Sequence, residues 1–138
     1  MICFFDTNVL VYAVDPRNVQ KQQAALDLCA KAISDGSFTI SAQVLNEFYR
    51  VTTRANQALL NHEQACTQIS ALARQRVVPV TANITLAALA RLGISQISWW
   101  DSLILEAAIS AGASTLYTED LQHRQHFGEL TVVNPFMS

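Results

Sequence analysis

The stretch Ile2-Cys3-Phe4-Phe5-Asp6-Thr7-Asn8, with its continuation Val9-Leu10-Val11-Tyr12-Ala13-Val14, decides the fold. Residues 2–6 form an apolar run ending in an acid. The run is too short for a helix and suits a strand buried on both faces, as in a parallel sheet. Asp6, Thr7 and Asn8 each offer a capping side chain, so a helix should start there, and Asp15-Pro16 should stop it.

The same alternation continues outward. Residues 18–35 are rich in helix formers and end at Gly36, which supplies a left-handed cap. Phe38-Thr39-Ile40 reads as a second strand. Ser41 then caps a helix carrying Val44, Phe48, Val51 and Ala55 at helical spacing. Asn61 with Gln64 forms a capping-box pattern opening a helix to about Arg76. Residues 77–80 (VVPV) read as a third strand, in which Pro79, lacking an N–H, favours an edge position or an irregularity. Helices follow at 82–92 and from Ser98 to Gly112, and strands at 114–118 and 130–133. The expected fold is a three-layer α/β/α sandwich with a mostly parallel central sheet of about five strands and right-handed crossovers. No repeat or linker interrupts it, so residues 1–138 read as one domain. In such sheets chemistry lies beyond the carboxyl ends of the strands.

Composition narrows the function. The 138 residues are 51% hydrophobic and 14% charged, with a net charge of −2. That is enough chain for a real core, and it excludes disorder and nucleic-acid binding by overall basicity. The two lysines, Lys21 and Lys31, and the four scattered glycines leave no P-loop and no GxGxxG fingerprint. No apolar run is long enough to span a membrane and no signal peptide is evident, while Cys3, Cys29 and Cys66 read as reduced core cysteines of a cytoplasmic protein.

Of the eleven acids, four stand where an apolar strand or helix edge should carry no charge. Asp6 ends the first strand and Asp120 follows the fourth; Asp101 lies at a helix start. Glu47 falls about 60° from the Val44/Phe48/Val51 stripe, at the edge of a buried helix face. Each has an ordinary explanation: N-cap for Asp6, capping-box acid for Asp101, turn former for Asp120, Arg-paired boundary residue for Glu47 beside Arg50 and Arg54. Glu106, about 140° around the helix from Asp101, should face solvent. Together, however, Asp6, Asp101 and Asp120 share one rim of a parallel sheet, and the helix of Glu47 can lean over it. Converging carboxylates repel, and the usual resolution is a hard cation such as Mg²⁺ or Mn²⁺, which makes a phosphodiesterase centre. His123 and His126, without a nearby cysteine, read as a solvated turn.

The stretches FFDTNVLVYAVD (4–15), SAQVLNEFYRV (41–51), ISWWDSLILEAA (97–108) and LYTEDLQH (116–123) resemble the ordered motifs of the PIN-domain family. The likeness is strongest to its small VapC-like toxin ribonucleases of toxin–antitoxin pairs, and it covers essentially the whole chain. It implies a Mg²⁺- or Mn²⁺-dependent endoribonuclease. Residue by residue, Asp6 and Asp101 match the principal metal-binding acids, Glu47 the helical acid and Asp120 the fourth, with Glu119 as a substitute. Asn8 and Thr118 match flanking polar positions. Residues 122–127 (QHRQHF) depart from the usual pattern.

The resemblance further implies an RNA substrate, often tRNA, a homodimer, and a cognate antitoxin covering the acidic pocket. Arg50 and Arg54, with Arg17 and Arg91 behind them, are candidate phosphate contacts in a chain whose overall field does not attract RNA. Trp99, Trp100, Phe48, Tyr49 and the helix at 84–92 are candidate interface residues. A phosphatase or receiver domain is excluded: Asn8 stands where a phosphatase needs its second Asp, and no lysine follows Lys31. Two alternatives keep the fold: a non-catalytic binding module, and a DNA-directed nuclease.

Overall fold

The computed structural model describes residues 1–137. Its elements alternate as the apolar patterning requires: β1 (Cys3–Phe5), α1 (Thr7–Ala13), α2 (Val19–Asp35), β2 (Phe38–Ser41), α3 (Ala42–Thr52), α4 (His62–Leu72), β3 (Arg76–Val78), α5 (Ala82–Leu92), α6 (Trp99–Ser110), β4 (Thr115–Tyr117), β5 (His126–Phe127) and β6 (Leu130–Val133). The strands form one sheet in the order β3-β2-β1-β4-β6-β5. All neighbours are parallel except the antiparallel β5–β6 pair.

The first strand explains the layering. Every residue of β1 is buried, and Phe4 and Phe5 are completely so, because helices cover both faces of a central parallel strand. The core continues through Val9, Ile40, Val44, Phe48, Ile104, Leu105, Leu116 and Val132. Phe48 therefore belongs to the core and not to an interface.

Helix boundaries follow their caps. Asp6, Asn18, Ser41, Asn61, Thr81 and Ser98 each cap a helix, and Asn61 with Gln64 forms the full reciprocal capping box. Gly36 closes α2 at φ 79°, the left-handed region that glycine enters without cost. Helix α3 stops at Thr52, so Ala55 lies outside it. Helix α4 ends at Leu72, short of Arg76. Strand β3 lies at one edge of the sheet, as Pro79 favours, but it spans Arg76–Val78 and not 77–80, because Pro79 has no N–H to continue the ladder.

Three further sequence expectations are corrected. A sixth strand is present: His126 and Phe127 pair with Thr131 and Leu130 across a turn where Gly128 takes φ 61°. His126 is thus part of a hairpin, while His123 lies in the turn before it, its Nδ1 accepting the Asn134 N–H at 3.0 Å. Glu106 is buried rather than solvent-facing, because Arg91 of α5 reaches it at 2.6 Å and satisfies its charge. Cys66 is exposed, while Cys3 is buried and Cys29 intermediate.

Candidate metal centre

The strand order makes the site. From β1 the chain builds outward through β2 and β3, then returns to add β4 on the other side of β1. The crevice beyond the carboxyl ends of β1 and β4 is therefore the topological switch point, where open parallel sheets bind ligands. The register aligns Phe5 with Tyr117, and the Asp6 N–H donates to the Tyr117 carbonyl at 3.0 Å. Asp6 and Thr118 consequently leave the sheet side by side.

Asp6 performs two tasks with two oxygens. Oδ1 accepts the Thr7 N–H at 2.7 Å and caps α1, while Oδ2 accepts the Thr118 hydroxyl at 2.8 Å. The ordinary capping role and the candidate chemical role thus coexist. Asp101 stands in the first turn of α6, where its N–H is capped by Ser98 Oγ at 3.1 Å. Its carboxylate makes no reciprocal capping bond and accepts no hydrogen bond among the described residues. Asp120 is positioned by the loop after β4: its N–H donates to Thr118 Oγ1 at 3.0 Å, and Oδ2 accepts from Asn8 Nδ2 at 3.0 Å. Asn8 also reaches Thr118 Oγ1 at 3.2 Å.

One carboxylate oxygen from each of Asp6, Asp101 and Asp120 lies within 4.8 Å of the others. Burial pushes the Asp6 carboxyl up from 3.8 to about 7, against the lowering effect of its Thr118 and Thr7 hydrogen bonds, and the Asp120 and Asp101 charges add to the rise. Asp120 is also raised, by burial and by Asp101, with the Asn8 bond opposing. Three hard oxygen donors that mutual repulsion disfavours, drawn from three separate elements, fit a divalent cation such as Mg²⁺ or Mn²⁺.

Glu47 lines the same cleft of about 350 Å³ but stands outside that trio. It is held by the Thr7 hydroxyl at 2.9 Å and the Gln43 amide at 3.4 Å, not by an arginine. Arg50 and Arg54 are exposed and make no ion pair among the described residues. Arg17 is tied to Asp15, Nε to Oδ1 at 2.9 Å and Nη2 to Oδ2 at 2.9 Å, which holds the Asp15 carboxyl below its ordinary range.

Glu119 and Asp120 separate cleanly. Glu119 turns to the opposite wall, accepting from Tyr12 Oη at 2.8 Å and from Lys21 Nζ at 3.0 Å. Lys21 also lies 4.5 Å from the Tyr12 ring centroid and 5.3 Å from that of Phe136. Asp120, not Glu119, joins the acidic trio. Sequence reading missed this Tyr12–Lys21–Glu119 wall and the burial of Asp15, since neither carries a local pattern. The hint was Tyr12, a polar-tipped residue in the otherwise apolar 9–13 stretch of α1.

The PIN domain family model matches residues 3–126, and the chain belongs to that family. Solved structures share the fold. VapBC2 from Rickettsia felis, bound to a DNA fragment from its promoter, is 25% identical, with a TM-score of 0.63 over 96% of this chain and 97% of that one. A toxin–antitoxin complex from Klebsiella pneumoniae is 18% identical, with a TM-score of 0.70 over 97% and 98%. VapC20 of Mycobacterium tuberculosis, a sarcin-ricin loop cleaving toxin, is 18% identical, with a TM-score of 0.64 over 86% and 91%. A search of curated proteins returns no significant match.

Proposed function

We propose that this chain is a Mg²⁺- or Mn²⁺-dependent endoribonuclease that hydrolyses RNA phosphodiester bonds, acting in the cytoplasm as the toxin of a toxin–antitoxin pair. The observation that carries this reading is the convergence of Asp6, Asp101 and Asp120 on one point of the switch crevice. Family membership and the toxin–antitoxin identity of the structural neighbours support it.

A bound divalent cation supplies charge neutralisation at the scissile phosphate and a lowered pKa for an attacking water. The carboxylates of Asp6, Asp101 and Asp120 would hold that cation. Thr118 and Asn8 fix two of them, since Thr118 Oγ1 bonds both Asp6 and the Asp120 backbone, and Asn8 bonds Asp120. Glu47 is the candidate proton acceptor. Its Oε1 is occupied by Thr7 and Gln43, whereas its Oε2 has no hydrogen-bond partner among the described residues and can take a proton from water.

An antitoxin would cover the cleft, and a basic side chain from it could pair with the trio. The exposed apolar side chains Leu86, Leu89 and Ile94 on and after α5 suit the homodimer that the family resemblance implies. No helix among the described residues is long and apolar enough to cross a membrane.

The test is incubation of the purified chain with total RNA in Mg²⁺ or EDTA, followed by mapping of cut ends. Discrete cuts in Mg²⁺ that vanish in EDTA are expected. Intact RNA in both arms, with a folded protein that binds no Mn²⁺ by calorimetry, would overturn the reading in favour of a non-catalytic module; cutting of DNA alone would redirect it to a DNA nuclease.

A further inference from the structure

We propose that the cavity between α3 and the start of α6 is a subsite for one unstacked nucleobase of single-stranded RNA, next to the scissile phosphate, with Trp100 as its stacking surface. This rests on the nuclease reading and specifies how substrate is recognised. The cavity measures about 550 Å³, within the range of ligand pockets. Glu47 and Trp100 line both it and the acidic cleft, so the two adjoin at these side chains. A strand whose phosphate sits at the acidic trio must place a neighbouring nucleotide on one side or the other, and this is the side with room.

Three features of the lining match three parts of a nucleotide. Trp100, one residue before Asp101, is 60% exposed, a large apolar ring that stacks on no other aromatic ring among the described residues. Single-stranded RNA is recognised largely by stacking unpaired bases on such rings. Gln43 supplies the edge contact. It is 8% exposed, its Nε2 donates to the Trp100 carbonyl at 3.2 Å and to Glu47, and its Oε1 is buried with no partner. A buried acceptor without a donor is costly, and the amino group of a base entering the cavity offers the donor that is lacking. Arg50, one turn beyond Asn46 on the same face of α3, supplies the cation. It lines the cavity, is exposed and forms no ion pair among the described residues, so it can meet the next phosphate. Val80 and Leu103 add apolar wall for the base plane.

The charge balance points the same way. A chain of net charge −2, with three acids at its centre, cannot gather RNA by its overall field. Affinity must come from stacking and a few placed contacts, which sequence-tolerant single-strand binders use.

The experiment compares wild type, Trp100→Phe and Trp100→Ala on a pool of single-stranded RNA with random sequence, in Mg²⁺, with cut ends sequenced. A 2-aminopurine-labelled RNA 12-mer, bound in EDTA, serves as a stacking probe. Because Trp100 is largely exposed, melting curves should be unchanged. Wild type is expected to show a base preference at one position beside the cut and to quench the probe. Trp100→Ala should lose roughly ten- to a hundredfold in kcat/KM, flatten that preference alone and relieve the quench, while Trp100→Phe retains all three. Trp100→Ala that cuts at the wild-type rate with the wild-type preference would overturn the subsite while leaving the nuclease intact. A uniform loss of rate with the preference unchanged would also overturn it. Wild type that cuts no RNA at all would remove the nuclease reading and the subsite with it.

Discussion

Thr118 donates its hydroxyl proton to Asp6 Oδ2 at 2.8 Å across 112 residues of sequence. Parallel pairing of β1 with β4 makes this bond, because Phe5 and Tyr117 are register partners and the next residue of each strand is left at the sheet's rim. A carboxylate that already caps a helix is thereby fixed in one rotamer at the mouth of the cleft.

Asp101 is the cleanest place to test the centre. Its carboxylate accepts no hydrogen bond among the described residues, so Asp101→Asn removes charge without removing a contact. Metal-dependent cleavage should fall at least about a hundredfold, as loss of one preorganised charged group typically costs. The melting temperature without metal should hold or rise slightly. Full activity in a folded Asp101→Asn protein would refute the assignment.

Stability should depend on pH in a direction set by Asp6. Its folded carboxyl titrates at about 7 against an ordinary 3.8. Between those values the folded chain holds a proton that the unfolded chain has released, so metal-free stability is full below about pH 4 and declines as pH rises through 7. The decline is at most about 4 kcal/mol for this one group. Thermal melts in chelator from pH 5 to 8 should show it. Mn²⁺ should reverse it, since binding needs the deprotonated carboxylate and so stabilises more at pH 8 than at pH 6.

Glu119 and Asp120, neighbours in sequence, should respond differently. Glu119→Gln weakens a partly exposed contact to Lys21 and should cost about 1 kcal/mol or less, with Mn²⁺ affinity unchanged. Asp120→Asn should leave the melt nearly unaffected but lower Mn²⁺ affinity by roughly tenfold or more. Calorimetric titration of both variants distinguishes them; equal affinities would dissolve the distinction.

The Arg91–Glu106 pair offers a stability test away from the cleft. Its side chains are 22% and 9% exposed, and Nε meets Oε1 at 2.6 Å. Arg91→Ala leaves a buried carboxylate without its cation and should destabilise by about 3 kcal/mol in urea melts. Adding Glu106→Leu should recover much of that loss.

Much of this architecture was readable from local chemistry. The caps at Asn61 and Ser98, the edge place of the strand beside Pro79 and the left-handed Gly36 follow from what each side chain can bond or which φ it tolerates. The short strand at His126–Phe127 was not readable. Two residues carry no period, and their pairing depends on β6 lying alongside. Glu106 misled for a related reason: its own helix predicts solvent, and only Arg91 from another helix makes burial tolerable.

The four acids show the same division. Sequence alone marked Asp6, Glu47, Asp101 and Asp120 as charges in apolar settings, because burying a carboxylate without cause is expensive. It put Asp6, Asp101 and Asp120 on one rim with Glu47 leaning over it, but it could not say how closely each approaches the others. Tertiary structure decided that Asp6, Asp101 and Asp120 converge, that Glu47 stands one hydrogen bond away on Thr7, and that Glu119 turns to Lys21. Periodicity and capping act over a few residues and survive in the one-dimensional string. Convergence depends on strand order and register, which join residues more than a hundred positions apart and exist only once the sheet is assembled.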